Sequence, residues 1–242
     1  MLESGLTQAI DACIIDLDGT LVDTLGDFEV ALNHMLDALG RPHITRERIA
    51  RLVGKGSEHL IGAVLALTGP AATDTPEGVA LQASAWRHYQ DAYLRINGRH
   101  STVYPGAAEG LHALRQLGLP LICLTNKPLA FARPLLAAKG LEGFFDHVFG
   151  GDSFARKKPD PLPLIEACRA LGTAPARTLM VGDSSNDAAA ARAAGCPVLL
   201  MTYGYNHGEP VRGVDADGWA DALTELAAAL AAQRPHRAGS AA

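Results

Sequence analysis

The sequence predicts an α/β protein with an open parallel, Rossmann-like sheet flanked by helices and with an inserted helical cap domain. Three observations support this fold class. Short apolar runs without polar alternation are typical of strands that are buried on both faces. Helical patterns separate these runs, as they do in parallel sheets. One long segment near the N-terminus carries helical patterns alone, which indicates a separate cap.

Five apolar runs are predicted to form the strands of the sheet. They span residues 12–15, 119–124, 147–149, 178–181 and 197–201. Between them we predict helices over residues 107–117, 160–171 and 184–194. A glycine follows each helix (Gly118, Gly172 and Gly195), and Asp160 with Pro161 opens the second, as expected of helix ends.

The segment 25–100 interrupts this alternation. It contains predicted helices over residues 28–39, 45–52, 57–67 and 79–96, and no strand pattern. We therefore predict a discontinuous core domain, residues 1–24 and 101–242, and a cap domain, residues 25–100. Residues 233–242 lose the helical period and are expected to fray.

Composition narrows the possible partners. The chain has 242 residues, 48% of them hydrophobic, and a net charge of −5, with no basic run beyond Lys157 and Lys158. This balance argues against a nucleic-acid partner. No apolar run reaches the roughly 18 residues of a membrane span, the N-terminus lacks a secretion signal, and the four cysteines stand singly. We expect a cytoplasmic monomer or homodimer that acts on a small molecule and not on a membrane.

Polar residues follow four of the predicted strands. They are Asp16 and Asp18 after the first strand, Thr125 and Asn126 after the second, Lys158 beyond the third, and Asp183 after the fourth. In open parallel sheets, the carboxyl ends of the strands are the edge where ligands bind. We therefore predict that these side chains form one site.

The two aspartates of the first loop suit a division of labour. Residues two apart at a strand end point to the same side, so Asp16 can serve as a nucleophile and Asp18 as a general acid and then base. Gly19 and Thr20 form a sharp turn that brings backbone N–H groups close to an anion. The alternative is a pair of turn aspartates that merely solvate a loop.

The remaining residues suit the binding of phosphate and magnesium. Thr125 and Asn126 are candidate phosphate ligands, although both types are also common helix caps. Lys158, with Lys157 as its rival, can neutralise a phosphoryl group. Asp183 is a candidate ligand of Mg²⁺, and Asp187 is expected to orient ligands or to hold Lys158. The loop Met201 to His207 lies near the same edge, where loop packing is the simplest interpretation.

The stretches DLDGTLVDT, LTNKP, KKPDP and GDSSND, in this order, resemble the four motifs of the haloacid dehalogenase-like phosphatases with a helical cap. The resemblance implies that Asp16 forms an aspartyl-phosphate and that Asp18 protonates the leaving alkoxide and then activates water. It also implies that Asp16, the Asp18 carbonyl and Asp183 hold Mg²⁺, while Thr125 and Lys158 hold the phosphate. The dehalogenating members lack an aspartate at the position of Asp18, so carbon–halogen chemistry is not expected.

Within the family, GGD, KKPDP and TYGYNHGE resemble the bacterial phosphatases that convert 2-phosphoglycolate to glycolate and phosphate. The cap loop Arg51 to Gly56 differs from the family's substrate-reading loop and leaves the substrate open, with Lys55 as a candidate partner for a carboxylate. The alternatives are a phosphatase or phosphomutase for another small metabolite, such as a sugar phosphate, and a catalytically silent binding protein.

Overall fold

A computed structural model describes residues 3–4, 9–69 and 74–233 of the chain. Its strands in chain order are β1 (Glu3–Ser4), β2 (Ala12–Ile15), β3 (Val22–Asp23), β4 (Thr102–Val103), β5 (Leu121–Leu124), β6 (His147–Phe149), β7 (Thr178–Gly182), β8 (Val198–Met201) and β9 (Gly218–Ala220). Seven of the strands in these described residues form one sheet in the order β1-β9-β8-β7-β2-β5-β6, and β3 pairs with β4. Every neighbouring pair in the large sheet is parallel except β1 with β9.

The centre of the sheet is buried, as its apolar runs predict. Every residue of β2, β5, β7 and β8 is buried, because helices cover both faces. The five predicted strands are present in the predicted parallel arrangement, which confirms the fold class. Strands β1 and β9 were not predicted, since two or three residues such as Gly-Trp-Ala form no apolar run.

The helices are α1 (Leu25–Ala38), α2 (Arg46–Ala50), α3 (Ser57–Thr68), α4 (Pro76–Ile96), α5 (Ala107–Gln116), α6 (Leu129–Ala138), α7 (Leu162–Leu171), α8 (Ser185–Ala194) and α9 (Leu223–Gln233). Three predicted core helices correspond to α5, α7 and α8. Helix α7 begins two residues later than predicted, because the Asp160 carboxylate accepts a hydrogen bond from the Leu162 N–H and so caps the helix from outside. No range was predicted for helices α6 and α9.

The cap consists of α1 to α4, and no strand lies within its described residues, 25–69 and 74–100. These helices share a hydrophobic core of their own, which includes Phe28, Tyr89 and Tyr93 and also takes in Phe131 of the core helix α6. The chain enters and leaves the cap through the antiparallel pair β3 and β4, where Val22 lies opposite Val103. The predicted domain boundaries both fall beside this two-stranded ribbon.

The ribbon is reinforced by a buried carboxylate. Asp27 in the first turn of α1 accepts hydrogen bonds from the N–H groups of Gly98 and His100 at 2.7 and 2.8 Å, and from the hydroxyl of Ser101. The segment that leaves the cap is therefore tied to the segment that enters it.

Further predictions concern the C-terminal end, membrane-spanning segments and the cysteines. Gln233 closes α9, and residues 234–242, for which fraying was predicted, lie outside the described residues. None of the helices in the described part of the chain is both long and apolar enough to span a membrane. All four cysteines are buried, with free thiols.

Candidate active site

A partly enclosed cavity lies between the carboxyl edge of the sheet and the cap. Its core residues are Asp16, Asp18, Thr125, Asn126, Lys127, Lys158, Asp183, Ser184, Asp187 and Tyr205, and its cap residues are Phe28, Val53, Gly54, Gly56, Ser57 and Leu60. The cavity contains about 30 Å³ of free space, room for only a few water molecules. The structure thus brings together every predicted core residue of the site.

Asp16 lies at the end of β2 and is only 8% exposed. Burial raises the pKa of its carboxyl to about 7, against the opposing attraction of the Lys158 ammonium. The Lys158 Nζ lies 2.9 Å from Asp16 Oδ1. The carboxylate form of Asp16 therefore depends on a positive charge beside it.

Lys158 is held from three sides. Besides Asp16, its Nζ contacts the carbonyl oxygen of Leu124 at 2.9 Å and the Asp187 Oδ1 at 2.7 Å. Although burial disfavours its charge, the two carboxylates keep the pKa of Lys158 above its usual value. The rival Lys157 instead faces the cap, with its Nζ 3.6 Å from Glu58 Oε2.

Asp187 is fully engaged by protein groups. Its Oδ1 accepts from Lys158, while its Oδ2 accepts from the backbone N–H and the hydroxyl of Ser184 at 3.2 and 2.8 Å. Ser184 in turn caps α8 in a reciprocal capping box. Asp187 thus contacts both Lys158 and the residue that caps α8.

Asp183 is fixed in place from the two neighbouring loops. The Thr20 hydroxyl donates to its Oδ1 at 3.1 Å and the Tyr205 N–H to its Oδ2 at 2.7 Å. Burial raises the pKa of Asp183 well above its usual value, and the nearby carboxylates of Asp187 and Asp16 raise it further. A Cβ at Gly204 would lie 2.1 Å from the Asp183 Cβ, so only glycine allows this close approach.

This arrangement fits a divalent metal ion. Among the described residues, Asp16, Asp183 and Asp187 each offer an oxygen within 4.8 Å of the others. The cavity wall carries four carboxylates against two ammonium groups, so a doubly charged cation balances it. Because Asp187 is already occupied, Asp16 and Asp183 are the carboxylates with capacity for a metal, and oxygen ligands suit Mg²⁺.

Thr125 and Asn126 follow β5, but their side chains do different things. Thr125 is 3% exposed and lines the cavity, with its hydroxyl accepting from the Lys127 N–H at 3.2 Å. The Asn126 amide donates to the carbonyl oxygens of Gly54 and Lys158, each at 2.8 Å. Asn126 therefore connects the cap loop at Gly54 to the loop that carries Lys158. Because its side-chain N–H groups are used in this way, only its backbone is available to bind a phosphate.

Sequence reasoning missed Lys127. Its Nζ donates to Asp18 Oδ1 and Oδ2 at 2.9 and 3.1 Å, and its side chain is only 1% exposed. The ammonium also lies 4.4 Å from the ring centre of Phe28 and 4.8 Å from that of Tyr93, both in the cap. The available signal was its position directly after the two polar residues at the end of β5.

Lys55 lies outside the cavity, although its neighbours Gly54 and Gly56 line it. The residue is exposed. Its charge acts on two histidines: burial and then the Lys55 ammonium lower the pKa of His59 and of His207. A role for Lys55 in reading the substrate stays a prediction.

Comparison with known sequences places this site in a family. A family model described as haloacid dehalogenase-like hydrolase matches residues 10–195. A phosphoglycolate phosphatase from Thiobacillus denitrificans is 44% identical over 218 residues, which covers 90% of this chain and 94% of the relative.

Solved structures give the same picture. The crystal structure of a predicted phosphoglycolate phosphatase from Haemophilus somnus has a TM-score of 0.85 and 30% identity, covering 91% of this chain and 97% of that one. A variant of CbbY from Rhodobacter sphaeroides, in complex with xylulose-(1,5)bisphosphate, has a TM-score of 0.73 and 27% identity, covering 90% and 96%.

Proposed function

The chain belongs to the haloacid dehalogenase-like hydrolases, and from this premise we propose that it is a magnesium-dependent phosphatase that converts 2-phosphoglycolate to glycolate and phosphate. The observation that carries the proposal is the grouping of Asp16, Lys158 and Asp183 in one buried cavity under the cap. The substrate is supported by the phosphoglycolate phosphatases that are 44% identical to this chain.

In the proposed reaction, Asp16 is the nucleophile. Its carboxylate oxygen bonds to phosphorus as the bond to the leaving oxygen breaks, which gives an aspartyl-phosphate. Lys158, 2.9 Å from Asp16, counters the negative charge of the carboxylate and of the phosphoryl group. Thr125 supplies a hydroxyl to the phosphoryl oxygens from the same cavity wall.

Asp18 is the proposed acid and base. As a carboxylic acid it protonates the leaving glycolate oxygen, and as the resulting carboxylate it takes a proton from the water that attacks the aspartyl-phosphate. Phosphate then leaves and Asp16 is regenerated, so that protons balance over the two steps.

The metal is proposed to be Mg²⁺, held by Asp16, the Asp18 carbonyl oxygen and Asp183. When bound, it supplies positive charge that neutralises the phosphoryl oxygens. The excess of two carboxylates over ammonium groups in the cavity supports a divalent cation.

The closed cap favours a small leaving group. Phe28, Ser57 and Leu60 cover the acidic residues, and the free space of about 30 Å³ leaves little room beside a phosphoryl group. We therefore propose that residues 25–100 form a cap domain on a core of residues 1–24 and 101–242, and that the cap opens to admit substrate. The four buried thiols support action in a reducing, cytoplasmic compartment.

A second candidate is hydrolysis of a phosphorylated sugar. It is favoured by the complex of the CbbY variant with xylulose-(1,5)bisphosphate, because the structure of that protein is similar to this one over 90% of this chain. A phosphomutase would return the phosphoryl group to the sugar rather than release it.

A substrate panel with and without Mg²⁺ tests the proposal. Initial rates of phosphate release are measured for 2-phosphoglycolate, several sugar phosphates and an aryl phosphate. We expect the highest kcat/KM for 2-phosphoglycolate and loss of turnover after chelation of the metal. A higher kcat/KM for the sugar phosphates would contradict the proposed substrate, and an isomerised phosphosugar would identify a mutase.

A further inference from the structure

The cavity contains a second buried ammonium group that the steps above leave without a task. Lys127 follows β5 and has a side chain that is 1% exposed. Withdrawing an ammonium group from water costs much free energy unless the charge is paired. Its Nζ is paired with both carboxylate oxygens of Asp18, at 2.9 and 3.1 Å.

The other neighbours of this ammonium come from the cap. An ammonium group has three N–H donors, and the hydrogen bonds described for Lys127 Nζ use two of them on Asp18. The ring faces of Phe28 and Tyr93 lie 4.4 and 4.8 Å away. Aromatic faces stabilise a cation without fixing the direction of its hydrogen bonds. Lys127 can therefore change its hydrogen-bond partner while it keeps its aromatic contacts.

The other lysines cannot take this role. Lys158 is committed to Asp16, Asp187 and the Leu124 carbonyl, and Lys55 is exposed outside the cavity wall. Of the two ammonium groups that line the cavity, Lys127 is therefore the one that is not bound to the proposed nucleophile Asp16.

We propose that Lys127 binds a carboxylate on the leaving group of the substrate. This inference rests on the proposed function, in which Asp18 meets the leaving oxygen. A carboxylate on the carbon next to that oxygen lies within reach of a cation that already touches Asp18. Lys127 then exchanges an Asp18 oxygen for a substrate oxygen, which keeps its charge paired and frees Asp18 to turn toward the leaving oxygen.

The exchange makes Lys127 a determinant of specificity. A neutral leaving group offers no negative charge to replace that of Asp18, so Lys127 stays on Asp18. A site built to hydrogen-bond a polar group of the substrate rejects an analogue that lacks this group by about 10⁴-fold. Because a hydroxyl in place of the carboxylate can still accept one hydrogen bond from Lys127, we expect a smaller factor, about 10²-fold, for such an analogue. We therefore expect selection for a carboxylate rather than for small size alone.

The test compares two substrates of similar size. The first is 2-phosphoglycolate, and the second is 2-hydroxyethyl phosphate, in which a hydroxymethyl group replaces the carboxylate. The ratio of their kcat/KM values is measured for the wild type, Lys127→Met, Lys55→Met and Lys157→Met. Lys157→Met is the matched control, because it removes an exposed ammonium at the seam between core and cap.

We expect the wild-type preference to fall by about 10²-fold in Lys127→Met and to persist in Lys157→Met. Equal losses for both substrates would show that Lys127 only maintains the structure, and would overturn the inference. Loss of preference in Lys55→Met instead would also overturn it. A wild type with no preference for 2-phosphoglycolate would contradict the proposed function itself, which is a separate outcome.

A second pair of variants covers a failure of Lys127→Met to fold. Lys127→Arg keeps the charge and Lys127→Gln removes it, and thermal melting checks each protein. The inference requires that Arg retain more of the preference than Gln. Equal preference in the two variants would contradict it.

Discussion

The two buried lysines of the cavity differ in what surrounds them. Lys158 contacts Asp16, Asp187 and a backbone carbonyl, all in the core. Lys127 contacts Asp18 and two aromatic rings of the cap. The core alone therefore builds the side of the site assigned to phosphoryl transfer, whereas core and cap share the side assigned to the leaving group.

The largest effect is expected on the core side, at the proposed nucleophile. Asp16→Asn removes the attacking carboxylate but keeps the shape of the side chain. We expect kcat to fall by at least about 10³-fold, with the fold retained by circular dichroism. A near-normal rate of phosphate release would mean that another group attacks phosphorus.

Lys158→Met is expected to affect both rate and stability. It leaves the carboxylates of Asp16 and Asp187 buried without their shared cation, so the free energy of unfolding without metal should fall by about 3 kcal/mol. We expect kcat to fall by about 10²-fold as well. Urea unfolding and steady-state kinetics measure the two effects.

The neighbouring Lys157 provides the control for that variant. Its side chain is 38% exposed and faces Glu58 of the cap, so screening by water leaves little energy in the contact. Lys157→Met should stay close to the wild type in both measurements. A similar loss of kcat and of unfolding free energy in both variants would show that Lys158 has no special role in the site.

Binding of Mg²⁺ should depend on pH. Burial raises the pKa of Asp16 to about 7 and that of Asp183 in the same direction, so protons must leave when the metal binds. For one displaced proton, the apparent affinity should rise about tenfold per pH unit up to about pH 7 and then level off. Calorimetry in buffers of different ionisation enthalpy measures the released protons.

The same shift has a consequence for the metal-free protein. The folded state binds a proton at Asp16 that an ordinary carboxyl, with a pKa of 3.8, has already lost. Its free energy of unfolding should therefore decrease as the pH rises from about 4 to 7, and Mg²⁺ should reverse the trend. A stability that increases over this range would contradict the assignment.

The smallest effect is expected at the contact between cap and core. Asn126→Ala removes hydrogen bonds of 2.8 Å to the Gly54 and Lys158 carbonyls, and KM for 2-phosphoglycolate should rise by about tenfold. Asn186 donates to the same Gly54 oxygen at 3.3 Å, so Asn186→Ala should change KM less. The reverse order would show that Asn126 acts on the substrate directly.

The sequence allowed the parallel sheet and most of the core site to be predicted, for a local reason. A strand buried on both faces leaves a continuous apolar run, and the residue after it lies at the ligand-binding edge whatever the rest of the chain does. Asp16, Thr125 and Asp183 could be located in this way. The three-residue strand β9 left no such run.

Contacts between the cap and the core could not be predicted in the same way. The pairing of Lys127 with Asp18 joins residues 109 positions apart, and the bond from Asn126 to Gly54 depends on how the cap packs. Neither contact follows from a local pattern or period. Lys55 was singled out because its loop occupies the place of the family's substrate-reading loop, yet the residue does not line the cavity.

The ribbon of β3 and β4 has one further consequence. Because Val22 lies opposite Val103, the strand pairing alone brings the two ends of the inserted segment together, without any contact from the cap helices. A segment whose ends meet can be exchanged for another without moving the strands that flank it. The segment 25–100 can therefore be replaced by another segment whose ends lie equally close, while the strands of the large sheet keep their register.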